Sequence, residues 1–262
     1  MLFGEVDYYF NNHFESIKSF HIVDLGFEPT SFDALPNGSL VIASLESKAL
    51  QIYDKEFKLI KKINEINHKT FTTQYLTSTG KDSIYLTDLK NNQIIQTDFD
   101  FNFIKQFGSK GSTNQQLDRP FGISFHEDSI YVCDSNNKRI QKLSQDLNYE
   151  ESYPLNFKPC NIKIIKNVAC IRSDSISLYY LNPFSFKVQL SNNHYEIYSI
   201  NSWFYVNNKY NKRIECYDIN GNMVNSKKLE HVREEMIPLH YSFGFFNNAI
   251  LIGQYKKLKI IK

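Results

Sequence analysis

A short β-rich run recurs six times along the chain of 262 residues, and this repetition limits the fold more than any other feature. Successive runs begin roughly 40 residues apart, close to the ~40–45 residues of a four-stranded propeller blade. Each run follows another strand-like segment and a tight turn, and precedes a polar turn and a third strand. The sequence therefore predicts an all-β, six-bladed propeller. The runs are LVIAS from Leu40, IYLTD from Ile84, IYVCD from Ile130, VACIR from Val168, FYVNN from Phe204 and ILIGQ from Ile250.

The two ends of the chain complement each other. The sixth unit stops at Lys262, after its third strand, and a candidate fourth strand lies in Ser16–Ile22. We expect this N-terminal strand to close the last blade beside Leu258–Ile261, because closure removes open sheet edges. The prediction is one complete domain over 1–262, with blades at about 28–63, 70–108, 118–153, 158–190, 195–229 and 237–262 plus 16–22.

The third unit, Phe107–Leu143, carries the most specific motif. Part of it returns in the fifth unit as Asn211-Lys212-Arg213-Ile214, and the second unit has Gln93 in place of the arginine. This pattern resembles the NHL repeat, so the propeller is expected to be of NHL type. The matching features are Pro120, Gly122-Ile123, Ile130-Tyr131-Val132, Asp134 and Asn137-Lys138-Arg139-Ile140.

The resemblance implies a binding role. NHL propellers are similar to the C-terminal, substrate-recognition part of tripartite-motif ubiquitin ligases, in which RING, B-box and coiled-coil segments come first. The main prediction is therefore a non-catalytic scaffold, not an enzyme, that binds a protein partner. This sequence shows no zinc-spaced Cys/His cluster and no heptad run, so ligase activity itself is not assigned to it. Some members of the family bind single-stranded RNA, and RNA binding stays open as an alternative.

One face of the predicted propeller is basic. The loops that follow the second strands carry more Lys and Arg than Asp and Glu, whereas the opposite face is acidic. A basic face steers acidic partners, and an aromatic ring between cations can stack on a base. Arg139 and Arg213 recur at one blade position, so a structural role in tying blades together is the competing interpretation. The candidate partner-binding residues are Lys138, Arg139, Lys209, Tyr210, Lys212, Arg213, Lys256 and Lys257.

A catalytic site in the central channel of the propeller is the third hypothesis. Peptidyl-amidating lyase, a propeller of similar type, uses histidines around zinc, and four of the seven histidines here fall near one face: His68, His194, His231 and His240. They do not recur at one blade position, so no metal site and no cofactor are predicted. A calcium-dependent lactonase would need inward-facing oxygen ligands, and of the inner strands only Asn161 and Glu196 offer them. A metal-dependent lyase or hydrolase is kept as an alternative.

Cysteine usage and the N-terminus indicate the compartment. The four cysteines form no C-x-x-C pair and are expected to be free thiols in a reducing environment. The N-terminus lacks an apolar signal region, and no apolar stretch is long enough to span a membrane. We therefore expect a cytoplasmic, monomeric propeller with no membrane partner, unless it is fused to a coiled coil.

Overall fold

The computed structural model describes residues 20–25, 29–35, 37–45, 48–79, 82–191, 194–200, 202–208, 213–228, 242–246, 249–254 and 257–261. All the regular secondary structure in these ranges is β-strand. No helix that could cross a membrane occurs among them.

The strands form six four-stranded antiparallel sheets and one small hairpin, numbered here in chain order. Strand β1 is Phe20–Asp24. Sheet 1 contains β2 (Ser31–Ala34), β3 (Leu40–Ser44), β4 (Ala49–Tyr53) and β5 (Leu59–Ile63). The hairpin consists of β6 (Glu65–Ile66) and β7 (Lys69–Thr70). Sheet 2 contains β8 (Leu76–Ser78), β9 (Ile84–Asp88), β10 (Gln93–Thr97) and β11 (Phe103–Phe107).

The remaining sheets repeat the same up-and-down order. Sheet 3 contains β12 (Pro120–His126), β13 (Ser129–Asp134), β14 (Arg139–Ser144) and β15 (Tyr149–Pro154). Sheet 4 contains β16 (Asn161–Ile165), β17 (Val168–Arg172), β18 (Ile176–Leu181) and β19 (Phe184–Ser191). Sheet 5 contains β20 (His194–Ile200), β21 (Trp203–Asn208), β22 (Arg213–Tyr217) and β23 (Met223–Lys228). Sheet 6 contains β24 (Ser242–Phe246), β25 (Ala249–Gln254), β26 (Lys257–Ile261) and β1.

The sheets are arranged in a circle that the N-terminal strand closes. β1 pairs antiparallel with β26, from Phe20 opposite Ile261 to Asp24 opposite Lys257. The first strand of each sheet contacts the first strand of the next, and β24 returns to contact β2. The predicted all-β propeller is confirmed, and so is the pairing of an N-terminal strand with the last one. The observed strand begins at Phe20, and residues 16–19 lie outside the described residues.

Apolar side chains fill the spaces between neighbouring sheets. The second strands β3 and β9 are buried along their whole length, because both faces of each sheet pack against another sheet. One cluster joins sheets 1 and 2, and similar clusters join sheets 2 and 3, 3 and 4, and 4 and 5. Polar ties cross the same boundaries: Lys61 Nζ donates to the Asp100 carbonyl at 2.9 Å, and Lys105 Nζ donates to that of Asp146 at 2.6 Å.

The repeated Asp and Arg residues hold the turn after the second strand. The Asp134 carboxylate is fully buried and accepts hydrogen bonds from Arg139 Nε at 2.7 Å and from the Asp118 amide at 2.7 Å. The Arg139 guanidinium also donates to the carbonyls of Thr113 and Gln116. Asp88 makes the equivalent contacts in sheet 2, where the Gln93 amide donates to it at 3.0 Å. A buried carboxylate needs such donors, so the motif has a structural role.

Replacement of Ile84 by Ala tests the packing between sheets 1 and 2. Ile84 is fully buried in that cluster, so Ile84→Ala should lower the free energy of unfolding by about 3 kcal/mol. Ile60→Ala is the matched control, because Ile60 is 58% exposed on β5 and its loss should cost less than about 0.5 kcal/mol. Urea denaturation of both variants measures the difference. Equal losses would contradict this account of the core.

Gly122 tests the contact between the inner strands of sheets 3 and 4. A Cβ atom added at Gly122 would lie 2.5 Å from the Asn161 Cα and 3.0 Å from the Cys160 carbonyl oxygen, and backbone atoms cannot move aside. Gly122→Ala should therefore lower the free energy of unfolding by about 2 kcal/mol or more. In Gly38→Ala the added Cβ meets no atom within 4 Å, and only its φ of +81° opposes the change, so a loss of about 1 kcal/mol is expected. An equal or smaller loss for Gly122→Ala in urea denaturation would show that the close contact is unimportant.

Candidate active site in the central channel

Two rings of side chains line the channel, and the strand register defines them. On each inner strand an apolar residue packs into the core opposite a residue of the second strand: Phe32 faces Ile42, Ile123 faces Val132 and Ile197 faces Val206. Because side chains alternate along a strand, the residues on either side of this apolar position face the channel. In sheets 1 to 5 the upper ring consists of Ser31, Tyr75, Gly122, Asn161 and Glu196, and the lower ring consists of Asp33, Thr77, Ser124, Lys163 and Tyr198.

Residues of the upper ring meet across the channel. The Tyr75 hydroxyl, from sheet 2, donates to Glu196 Oε1, from sheet 5, at 2.6 Å. Two sheets separate sheets 2 and 5 in either direction around the circle, so this bond crosses the axis. Asn161 Nδ2 donates to Glu196 Oε2 at 2.9 Å. Both carboxylate oxygens of Glu196 are therefore held in place.

Arg172 completes the cluster from the end of β17. Its terminal nitrogen donates to the Tyr75 hydroxyl oxygen at 3.2 Å and lies 3.7 Å from Glu196 Oε1. Arg172 is paired with Asn161 in the sheet, which brings its side chain to the level of the upper ring. Arg172 Nε is buried and has no hydrogen-bond acceptor among the described residues. The cluster thus holds a carboxylate, a phenol and a guanidinium with one unused donor.

Glu196 lies at a β-bulge of the inner strand. The register of β20 against β21 shifts between His194 and Ile197, and Glu196 lies inside this shift. The register of β12 shifts in the same way between Pro120 and Ile123, where Gly122 occupies the equivalent position. Bulges frequently redirect a side chain next to an active site. Sheets 3 and 5 therefore share this backbone geometry, with a glycine on it in sheet 3 and a carboxylate in sheet 5.

Burial shifts the pKa values of the cluster. Burial raises the pKa of Glu196, and the charge of Arg172 and the hydrogen bonds from Tyr75 and Asn161 only partly offset it. Burial and the facing Glu196 carboxylate raise the pKa of Tyr75 well above its ordinary value. Burial opposes the charge of Arg172, but Tyr75 and Glu196 outweigh it and raise its pKa. The Glu196 carboxyl is thus a stronger base than an ordinary one, and the Tyr75 hydroxyl keeps its proton.

The lower ring holds a second pair of opposed charges. Asp33 and Lys163 come from sheets 1 and 4, which also lie opposite each other in the circle. Burial raises the pKa of Asp33 to about 6, although Lys163 opposes that shift. Burial lowers the pKa of Lys163, with Asp33 and Glu196 acting in the other direction. The Lys163 ammonium lies 5.8 Å from the centre of the Tyr198 ring. The channel therefore contains titratable groups at two levels.

Sequence reasoning found part of this cluster. Asn161 and Glu196 were the two inner-strand residues singled out as possible ligands, and the structure joins them by a hydrogen bond. Tyr75, Arg172 and the Asp33–Lys163 pair were missed. Tyr75 lies 121 residues from Glu196 and just outside the strand β8. The signal that could have found Tyr75 is that it occupies the same blade position as Asn161 and Glu196. This equivalence can be seen only once the register of the strands is known.

The predicted partner-binding residues are spread over several loops. Lys138 is exposed, whereas Arg139 is held by Asp134, and Arg213 is exposed with one hydrogen bond to Ser226 Oγ at 3.2 Å. Lys257 pairs through its backbone with Asp24 and Gln254. Lys209, Tyr210, Lys212 and Lys256 lie outside the described residues. Their partner role stays a prediction, as do the protein partner, the RNA alternative and the cytoplasmic location.

The histidines and cysteines of the described ranges do not gather into groups of three or more. His68 is exposed in the hairpin of β6 and β7, His194 begins β20, and His231 and His240 lie outside the described residues. Within the described ranges, no three His, Cys, Asp or Glu side chains come together as a possible metal site. Cys133, Cys160, Cys170 and Cys216 keep reduced thiols and form no disulfide among the described residues, as predicted. Among the described residues, the channel cluster is therefore the candidate active site.

Replacement of Asp33 by Asn should change how stability depends on pH. Because the folded pKa of Asp33 is raised from 3.8 to about 6, the folded state holds this proton more tightly, and wild type loses stability as the pH rises through that window. Asp33→Asn should remove this loss, so that the variant gains up to about 2 kcal/mol relative to wild type between pH ~4 and ~8.

Urea denaturation at several pH values measures this difference. Ser31→Ala, which changes a non-titrating member of the same channel, is the control and should run parallel to wild type. Parallel profiles for all three proteins would contradict the raised pKa of Asp33.

Solved structures of lyases share this fold. A selenomethionine form of the virginiamycin B lyase of Staphylococcus aureus is 12% identical, with a TM-score of 0.66, and the match covers 93% of this chain and 99% of that one. A streptogramin B lyase is 14% identical, with a TM-score of 0.67 and coverage of 95% and 99%. A catalytically inactive variant of the Staphylococcus aureus enzyme with quinupristin is 13% identical, with a TM-score of 0.66 and coverage of 93% and 99%. No family model and no curated protein sequence matches the chain.

These matches confirm the propeller and correct the predicted role. The prediction of a non-catalytic scaffold is contradicted, because the matching propellers are lyases. The physical reason for the error lies in the repeat: its motif residues build turns, whereas the channel groups are unlike residues from sheets distant in the sequence. At such low identity the likeness itself shows the fold, and the NHL type stays a prediction.

Proposed function

We propose that this chain is an enzyme of the lyase type that acts in the central channel. The observation that carries the proposal is the hydrogen bond of 2.6 Å between the Tyr75 hydroxyl and the Glu196 carboxylate, with Arg172 beside both. Strongly perturbed pKa values in a cleft are typical of catalytic groups. The lyase structures that share the fold favour elimination over other acid–base chemistry.

Glu196, Tyr75 and Arg172 can each perform one part of an elimination reaction. Such a reaction removes a proton from one carbon and expels a leaving group, with its bonding electrons, from the next. Glu196, with its raised pKa, suits the base that takes the proton. Tyr75 keeps its own proton and can give it to the departing oxygen. Arg172 Nε has no acceptor within the described ranges, and the guanidinium suits the stabilisation of negative charge that develops on that oxygen.

The repeat itself supports a finer assignment. We infer that the sheets are of NHL type, because the arrangement of Asp134 with Arg139 returns in altered form. Asp88 with Gln93 and Asn208 with Arg213 occupy the same paired positions at the end of the second strand. In this interpretation the NHL motif maintains the scaffold of a six-bladed propeller, and the channel residues vary with function.

Replacement of Glu196 by Gln tests the proposed base. Purified wild-type protein is incubated with quinupristin, the compound in one of the matching structures, and the products are followed by mass spectrometry. Elimination yields an isomer of unchanged mass or fragments whose masses sum to the substrate, whereas hydrolysis adds one water. We expect wild type to give elimination products and Glu196→Gln to be slower by about 100-fold or more.

A matched variant and a second cluster variant control for misfolding. Glu56→Gln makes the same chemical change in an exposed turn and should keep wild-type activity. Tyr75→Phe should slow the reaction while thermal unfolding confirms that the protein is folded. Full activity in Glu196→Gln, hydrolysis products, or no conversion by folded wild type would each contradict the proposal.

A further inference from the structure

A polar groove opens between sheets 2 and 3, outside the channel cluster. Its volume is about 410 Å³, within the size range of small-molecule sites. The turn between β9 and β10 forms one side, and the segments that lead into β12 and follow β13 form the other. The charged and amide side chains that line it are Lys90, Lys110, Arg119, Asn92, Asn136 and Asp118.

The groove has an excess of positive charge. Lys90, Lys110 and Arg119 have no ion-pair partner within 4.0 Å in the described part of the chain. The one carboxylate, Asp118, already accepts a hydrogen bond from Asn136 Nδ2 at 3.0 Å. Lys158 in turn donates to Asn136 Oδ1 at 3.0 Å, which adds a cation behind the amide. Three cations around one small groove suit an anion with several oxygen atoms.

The fold holds Arg119 in place through its backbone and an aromatic ring, without a guanidinium hydrogen bond to any described residue. The Arg119 backbone has a φ of +57°, and its amide donates to Asn92 Oδ1 at 2.8 Å. The guanidinium lies 5.3 Å from the centre of the Phe121 ring, so it is stacked on an aromatic face. Stacking leaves the edge of the guanidinium free to donate to a ligand. Preorganised donors lower the entropic cost of binding.

Phe121 connects the groove to the channel. Its ring centre is 6.3 Å from that of Tyr75, whose hydroxyl takes part in the channel cluster. A ligand group beside Arg119 is therefore separated from Tyr75 by one aromatic side chain. Such an arrangement suits a substrate whose charged end is bound in the groove while its reactive part reaches the channel.

We propose that this groove binds the anionic group, a carboxylate or a phosphate, of the enzyme's substrate. The assignment to a substrate rests on the proposed lyase function, whereas anion binding in the groove does not. Lys90, Lys110 and Arg119 contribute the charge, and Asn92 and Asn136 shape the walls.

Direct binding to the full chain tests the groove. Citrate and pyrophosphate serve as carboxylate and phosphate probes in calorimetric titrations at low ionic strength, where surface charge is least screened. We expect at least one probe to bind, and the stronger one identifies the preferred group. Lys110→Gln should weaken that binding by about tenfold, because an exposed charge-assisted contact is lost. Lys58→Gln, an exposed lysine in the turn between β4 and β5, is the matched control and should bind as wild type does.

The outcomes separate this inference from the lyase proposal. Glu196→Gln should bind the probe as wild type does, because Glu196 is not part of the groove. No binding, or equal weakening by Lys110→Gln and Lys58→Gln, would overturn the anion site even if lyase activity were found. A single-stranded RNA oligonucleotide that binds more tightly than either probe, and that Lys58→Gln weakens as much as Lys110→Gln, would also overturn it. Loss of probe binding in Lys110→Gln alone supports the site even if quinupristin is not converted.

Discussion

The antiparallel pairing of β1 with β26 is the interaction on which the arrangement of the molecule depends. It joins residues from the two ends of the chain in one sheet, so the last sheet has four strands like the others and the circle of six sheets is closed. A closed circle fixes which sheets lie opposite each other. Only because sheet 2 faces sheet 5 can Tyr75 reach Glu196, and only because sheet 1 faces sheet 4 does Asp33 face Lys163.

Because side chains alternate along the inner strands, neighbouring residues either pack between sheets or face the channel. Phe32, Leu76 and Ile123 point into the spaces between sheets, where they stabilise the ring by burial. Their neighbours in sequence face the channel, where polar residues such as Asn161 and Glu196 occur. Each of sheets 1 to 5 thus has two channel-facing positions beside its core residue. The result is a channel whose chemistry can change while the blades remain the same.

The sequence predicts the blades better than the site, for a physical reason. Buried second strands such as IYLTD and IYVCD repeat because every blade must fill the same space, and the pairing of Asp134 with Arg139 returns in altered form in sheets 2 and 5 at the end of the second strand. The sixth unit ends after its third strand, and this missing fourth strand predicts closure by an N-terminal strand. The site does not repeat: Tyr75, Asn161 and Glu196 occupy one blade position with three different residues. Their meeting depends on the register, on a bulge in β20 and on closure, none of which a local pattern contains.

The charges of the channel explain how a buried site of this kind persists. Ionised groups are costly to remove from water unless opposite charges and hydrogen-bond donors compensate them. Glu196 has Arg172 and two hydrogen bonds, and Asp33 has Lys163 across the axis. Compensation is incomplete, because the pKa values of Glu196 and Asp33 remain raised. A structure selected only for stability would favour apolar residues at these positions. Retained carboxyl groups with raised pKa values, brought together from opposite sheets, therefore favour a catalytic channel over a packed axis.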